Sequence, residues 1–127
     1  RGAAAIKKKQ LDKLELGNMD ASRDWGHSKD YVDAMHKILQ HHEPDEFVIS
    51  SQESHTVRDF CESAFSHVGL DYKDHVTQNP KFMRPEELKT LKGDSTKSRT
   101  ALNWNPEYNF DSLVKDMVDY WMEKLED

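Results

Sequence analysis

LGNMDASRDWGHSKDYV, residues 16–32, holds the densest run of informative side chains in the sequence. Leu14-Glu15-Leu16 alternates as a strand does and stops at Gly17-Asn18, a pair that favours a turn. From Lys29 to Gln40, Tyr31, Ala34, Met35, Ile38 and Leu39 recur at helical spacing and make one apolar stripe. Between this strand and this helix, Arg23, Asp24, Trp25, Gly26 and His27 occupy consecutive positions. A loop placed between a strand end and a helix start is well suited to serve a ligand. The planar guanidinium of Arg23 can clamp a diphosphate with two parallel hydrogen bonds, and Trp25 can wall such a site. The competing role for Arg23 is a structural ion pair with an aspartate.

Working outward, Ala3–Lys13 lacks any helix breaker and is rich in alanine and lysine, which predicts a helix leading into the Leu14–Leu16 strand. On the other side, His42-Glu43-Pro44-Asp45 ends the 29–40 helix, and Phe47-Val48-Ile49 has the length and β-branching of a buried strand. A polar loop, Ser50–His55, follows. Thr56 and Asp59 sit at helix-capping spacing, although the reciprocal bond of a capping box prefers Glu or Gln at the second position. Val57, Phe60, Cys61, Ala64, Phe65 and Val68 then keep a helical period, and Gly69 stands where a left-handed residue is wanted. Residues 71–92 read as irregular, with Asn79-Pro80 and Arg84-Pro85 holding their first residues extended. Asp94 can cap a short helix over Ser95–Leu102, closed by Asn103-Trp104-Asn105-Pro106. The last helix spans Phe110–Leu125, and its stripe of Phe110, Leu113, Val114, Met117, Val118, Trp121 and Leu125 must pack on another surface. Arg84-Pro85-Glu86-Glu87 is a second candidate site. Its proline-stiffened arm can hold phosphate and sugar hydroxyls together, or can be a solvated charge cluster.

The composition closes off other classes. The chain has 127 residues, 24 acidic against 18 basic side chains, a formal net charge of -6 and a mean hydropathy of -0.94. One domain, residues 1–127, is the simplest parse, and no membrane span or export signal is expected. The acidic balance argues against nucleic acid, so any anionic ligand must be met by local arginines. A single cysteine, Cys61, on an apolar stripe fits a buried thiol in a reducing compartment. Of the seven histidines, His41 and His42 are adjacent and the rest scattered, without ligand spacing on a helix face, so no metal is expected. Glycine-rich phosphate loops and nucleophile elbows are absent. The basic start and acidic end of the chain are read as solvated faces or as ends that attract each other.

Taken in order, LGNMDASRDWGHSKDYVDAM, EPDEFVISSQESHTVRDF, FMRPEEL, LKGDSTKSRTALNWNP and FDSLVKDMV resemble the C-terminal portion of the GDP-mannose 4,6-dehydratase family, within the extended short-chain dehydrogenase/reductase superfamily. The resemblance runs from about Ala3 to the end, and RDWGHSKDYV is its most specific element. It implies an α/β fold: the small substrate-binding lobe of such an enzyme, lacking the Rossmann half. It also implies a lyase reaction in which bound NADP oxidises GDP-mannose at C4, water leaves across C5 and C6, and the hydride returns to C6. The resemblance places the cofactor and the catalytic Ser/Thr, Glu and Tyr-x-x-x-Lys in the Rossmann half, so no catalytic residue is expected in this chain. Tyr120 and Lys124 have that spacing but lie on the final amphipathic helix, away from the family's catalytic segment. Carried over, Arg23 contacts the diphosphate of GDP, Arg84 the same phosphates, and Glu87 the ribose hydroxyls. Partners implied are GDP-mannose, the chain's own N-terminal Rossmann half and further subunits of a homo-oligomer, in the cytoplasm. A related epimerase or dehydratase with another nucleotide sugar, and a noncatalytic binding module, are the alternatives. The sequence departs from the family at His36, where Trp is usual, at Ser51-Gln52, where Thr-Gly is usual, and in lacking a basic FVTRK-type stretch between Gly2 and Ala3.

Overall fold

A computed structural model describes residues 1–126. In chain order the elements are α1 (Gly2–Lys7), β1 (Leu14–Leu16), β2 (Ser22–Arg23), α2 (Ser28–Gln40), β3 (His55–Thr56), α3 (Val57–His67), β4 (Val76–Gln78), α4 (Thr96–Ala101) and α5 (Phe110–Lys124). Single 3-10 turns lie at Tyr72–Asp74 and Pro80–Phe82. β1 pairs in parallel with β4, Leu14 opposite Val76 and Leu16 opposite Gln78. β2 pairs antiparallel with β3, Arg23 opposite His55. Thr90 forms a parallel bridge to Ser22, so the segment after the Arg84 arm lies along the other edge of β2.

Two apolar clusters hold these elements. The larger is built from Ala3 and Ile6 of α1, Cys61, Ala64 and Phe65 of α3, and Val114 and Val118 of α5, with Leu14, Leu16 and Val76 of the parallel pair against it. Most of the α5 stripe finds the surface it requires inside the chain, on α1 and α3, while Met117 stays 45% exposed. Cys61 is buried there, and burial pushes its thiol pKa up, as expected for an inert structural cysteine. The smaller cluster surrounds Ala34 of α2, Leu102 and Trp104, with Tyr31, Ile38, Phe47 and Ile49 packed on it. Trp104 is fully buried, and its indole donates to the Asp30 carbonyl at 2.9 Å.

The helix ends explain several boundaries. α3 begins in a full capping box: Thr56 Oγ1 accepts from the Asp59 amide at 3.0 Å, and Asp59 returns the bond to the Thr56 amide at 2.8 Å. Aspartate therefore serves where a longer acid was preferred. α3 closes with Gly69 at φ 73, Gly69 N bonding to Ser66 O and Leu70 N to Phe65 O, the paired bonds of a Schellman motif. The same two bonds close α1, from Lys9 to Ile6 and from Gln10 to Ala5, with Lys9 at φ 59 in the glycine-like place. The helix expected over Ala3–Lys13 consequently ends at Lys7. Beyond Ile6 the segment offers the core nothing: Leu11 is exposed, and three adjacent lysines repel one another. Capping of α4 falls one residue from the expected place. Asp94 accepts from the Thr96 amide at 3.0 Å, and the helix runs Thr96–Ala101.

Two other expectations are corrected. Phe47–Ile49 forms no strand among the described residues. Its neighbourhood is held by α4 side chains instead, with Ser98 Oγ donating to Val48 O at 2.5 Å and Lys97 Nζ to Glu46 O at 2.8 Å. Residues 71–92 are less irregular than their prolines indicate, because Val76–Gln78 completes the sheet with β1. On α2, only Ala34, Tyr31 and Ile38 of the apolar stripe turn inward, while Met35 is 61% and Leu39 80% exposed. The chain ends, opposite in charge, do meet: Arg1 lies over the Trp121 ring, and Gln10 Nε2 donates to Glu126 O.

Gln52 occupies the left-handed region at φ 65, where a side chain costs about 1 kcal/mol. Its side-chain Oε1 caps the start of α4, accepting from Ser95 N at 3.1 Å and Thr96 Oγ1 at 3.3 Å. Gln52→Ala is expected to lose the cap and keep the strain, falling by about 1 kcal/mol in urea unfolding, whereas Gln52→Gly offsets one with the other and stays near the parent. Asp30→Ala orphans the amides of Glu107 and Tyr108, which bond the carboxylate at 2.9 and 3.1 Å. It should cost roughly 2–4 kcal/mol, and a urea midpoint unchanged from the parent would remove Asp30 as the anchor of this segment.

Candidate functional site

The Arg23–His27 loop owes its shape to the acids and rings inside it. Asp24 is a hub: Oδ1 accepts from the Ser51 amide at 2.9 Å and the Ser51 hydroxyl at 2.6 Å, and Oδ2 accepts from the amides of Gln52 and Gly93, each at 3.1 Å. Three segments far apart in sequence are thereby fixed around one carboxylate. Trp25 packs edge-on against Phe60 and stacked on Phe110, with centroids 5.3 and 6.1 Å away, so it joins the loop to the larger core. A Cβ at Gly26 would lie 2.3 Å from the Tyr31 hydroxyl, so only glycine lets that ring cross the loop. Burial, and after it the nearby charges of Asp24 and Asp30, push the Tyr31 phenol pKa up.

His27 caps α2. Its Nδ1 accepts from the Lys29 amide at 3.0 Å, which leaves the ring proton on Nε2 to be donated to Asp116 Oδ2 at 2.8 Å. The ring also stacks on Tyr108 at 3.9 Å between centroids. The bond from His27 holds the Asp116 carboxyl below its usual pKa. Asp24, His27 and Asp30 are thus organisers of the fold that the sequence reading did not assign. Their signal was present in the sequence only as polar residues on either side of a helix start, a place that favours caps.

Arg23, on β2, does not pair with an aspartate. Its Nη2 meets Glu87 Oε1 at 3.2 Å, and its Nη1 donates to Leu88 O at 2.8 Å and Ser22 O at 2.7 Å. Two of the three predicted residues, Arg23 and Glu87, are therefore brought into contact from segments 64 positions apart. Both are about a quarter or less exposed, so the pair is neither a free surface bridge nor sealed in the core. Arg84 stands exposed at the start of the same arm. Ser22 N to Lys89 O and Leu91 N to Ser22 O, at 2.8 and 3.1 Å, anchor the far end of the arm to β2. From Lys81 to Lys92 the arm carries Lys81, Arg84, Lys89 and Lys92 against Glu86 and Glu87, a local excess of cations in an acidic chain.

Beside Arg23 a cleft opens between the loop and the 91–93 segment, walled by Tyr31, Val48, Ile49, Ser50 and Leu91. Ser50 is buried there, and its hydroxyl is the one fully buried side-chain polar atom without a partner among the described residues. An orphaned hydroxyl costs about 1–3 kcal/mol, so Ser50 is a destabilising point in this wall. A second, mainly apolar cleft lies between α1, β1, α3 and α5, lined by Leu16, Trp25, Phe60, Cys61 and Met117, with Arg1 its one charged lining residue.

No described helix is long and apolar enough to cross a membrane. The fold aligns with solved enzymes of the extended short-chain dehydrogenase/reductase type. RMD from Pseudomonas aeruginosa, solved with NADPH, matches with a TM-score of 0.86 at 22% identity, over 97% of this chain and 40% of that one. dTDP-glucose 4,6-dehydratase from Bacillus anthracis, solved with NAD, matches with a TM-score of 0.81 at 18% identity, over 96% of this chain and 38% of that one. Among sequence relatives, GDP-mannose 4,6 dehydratase 1 of Arabidopsis thaliana is 47% identical over 94% of this chain and 33% of its own length. The GDP-mannose 4,6 dehydratase of Homo sapiens is 44% identical over 93% of this chain and 36% of its own length. The chain thus spans about a third of the length of these curated relatives. The model of the GDP-mannose 4,6 dehydratase family matches residues 1–117, a span that holds the RDWGHSKDYV loop and the arm that meets it, and the chain belongs to the GDP-mannose 4,6-dehydratase family.

Proposed function

We propose that this chain is the nucleotide-sugar-binding part of a GDP-mannose 4,6-dehydratase, a lyase that converts GDP-mannose to GDP-4-keto-6-deoxymannose and water. The observation that carries the reading is the convergence of Arg23 and Glu87 at 3.2 Å, with Leu88 O on the same guanidinium. A fork that reads a carboxylate is also shaped for a phosphate, and a carboxylate that leaves it can accept from the two hydroxyls of a ribose. In this reading Arg23 and Arg84 take the diphosphate and Glu87 the ribose diol. The excess of cations from Lys81 to Lys92 supplies the local positive field that the net charge of -6 otherwise denies. These residues bind and orient. Their contribution to the reaction is to hold the sugar still relative to the reacting groups, which lowers the entropy cost of reaction.

The dinucleotide cofactor of the reaction, NADP, supplies hydride acceptance and return when bound. The glycines here, at 2, 17, 26, 69 and 93, stand singly, so no glycine-rich phosphate turn is formed. The cofactor is accordingly assigned to the remainder of the longer protein, together with the proton-transfer residues. The exposed Val32, Met35 and Leu39 face of α2 is read as packing against that remainder.

Calorimetry with GDP and UDP on the complete protein tests the reading. Arg23→Ala is expected to weaken GDP binding at least tenfold, about 1.4 kcal/mol, and Arg23→Lys to recover only part of it, because an ammonium cannot make the paired bonds. Unchanged GDP affinity in Arg23→Ala would falsify the assignment, and UDP binding as tightly as GDP would move the protein to another nucleotide sugar.

A further inference from the structure

We propose that His41, His42 and Glu43, just past the end of α2, form a surface site for a divalent transition ion of the zinc or copper class. The sequence alone did not favour a metal, because adjacent residues on a helix point about 100° apart. The helix, however, stops at Gln40: His41 is extended at φ -65 and ψ 144, with its amide on Ile38 O. One ligand atom from each of the three side chains lies within 4.8 Å of the other two. The His41 and His42 rings are 4.3 Å apart between centroids, and His42 Nε2 is 3.4 Å from Glu43 Oε1. His41 is steadied by the edge of Phe47 at 5.2 Å, and Pro44 limits the backbone just beyond Glu43.

Three further points favour a cation. Two neutral imidazoles and one carboxylate are a donor set for borderline ions, whereas calcium and magnesium want oxygen throughout. The site sits at the negative end of a 13-residue helix, whose last carbonyls attract positive charge. Tetrahedral zinc needs its ligand atoms about 3.3 Å apart, and the side chains of His42 and Glu43, 76% and 67% exposed, are free to make that small rotation. Water completes the shell. The bound ion would clamp the 41–43 turn at the end of α2, about 20 Å of helix away from the Arg23 loop, so it acts on stability and not on the sugar site.

The test is a titration of ZnCl2 into the complete protein in a buffer that does not bind metals, followed by calorimetry and by the thermal midpoint. One-site binding and a raised midpoint are expected, both weakening as the pH is lowered from about 7.5 to about 5.5, since protons compete for the ring nitrogens. His42→Ala should weaken binding at least tenfold and Glu43→Gln by a smaller factor, with neither change disturbing the fold at such exposed positions. His67→Ala, which removes an exposed histidine on α3, should leave the affinity unchanged. Zinc affinity that survives His42→Ala, or falls equally in His67→Ala, overturns the site and leaves only nonspecific binding by surface imidazoles.

Discussion

The carboxylate of Asp24 is the constraint from which the rest of the site follows. It accepts four hydrogen bonds, two from Ser51, one from Gln52 and one from Gly93, and so closes the 50–52 and 91–93 loops around the residue next to Arg23. With its oxygens fully used, Asp24 cannot also serve as a partner for Arg23. The guanidinium therefore turns to the arm, to Glu87 and Leu88 O. One structural acid thus leaves its neighbouring cation to face the cleft.

The same economy runs through the loop. His27 caps α2 and reaches Asp116 on α5, Asp30 satisfies the amides of Glu107 and Tyr108, and Trp25 bridges to Phe60 and Phe110. His27 joins the start of α2 to α5, Asp30 joins α2 to the segment just before α5, and Trp25 joins the loop ahead of α2 to both α3 and α5. The polar residues of RDWGHSKDYV are for the most part the ties between two apolar cores, and such a buried polar tie costs heavily when only one partner is removed. The motif is specific because several geometric demands coincide on a few positions.

Part of this was legible in the sequence. The stripes of α3 and α5 appear at their expected residues, and Gly69 takes the left-handed place. What escaped was anything that depends on the partner across space. Val48 and Ile49 have strand composition, yet their carbonyl neighbourhood is claimed by Ser98 and Lys97 of α4. Val76–Gln78 has only one apolar residue and becomes a strand because β1 lies beside it. Lys9 closes α1 in a glycine's conformation, with no composition signal to mark it. Arg84, equally basic in the sequence, remains exposed while Arg23 is engaged, and nothing local to either residue separates them.

The sequence by itself determined which helices are amphipathic, where two of them begin and end, and which family the ordered motifs resemble. These are local facts, set by side-chain period, by capping within three or four residues and by glycine's freedom at positive φ. Only the tertiary structure decided which apolar stripes find a partner inside the chain, which short segments become strands and which charged residues bond to one another. Each of these depends on groups 25 to 90 positions away, such as Ser51 for Asp24 or Asp116 for His27, whose approach fixes the hydrogen bonds that a buried polar group must make.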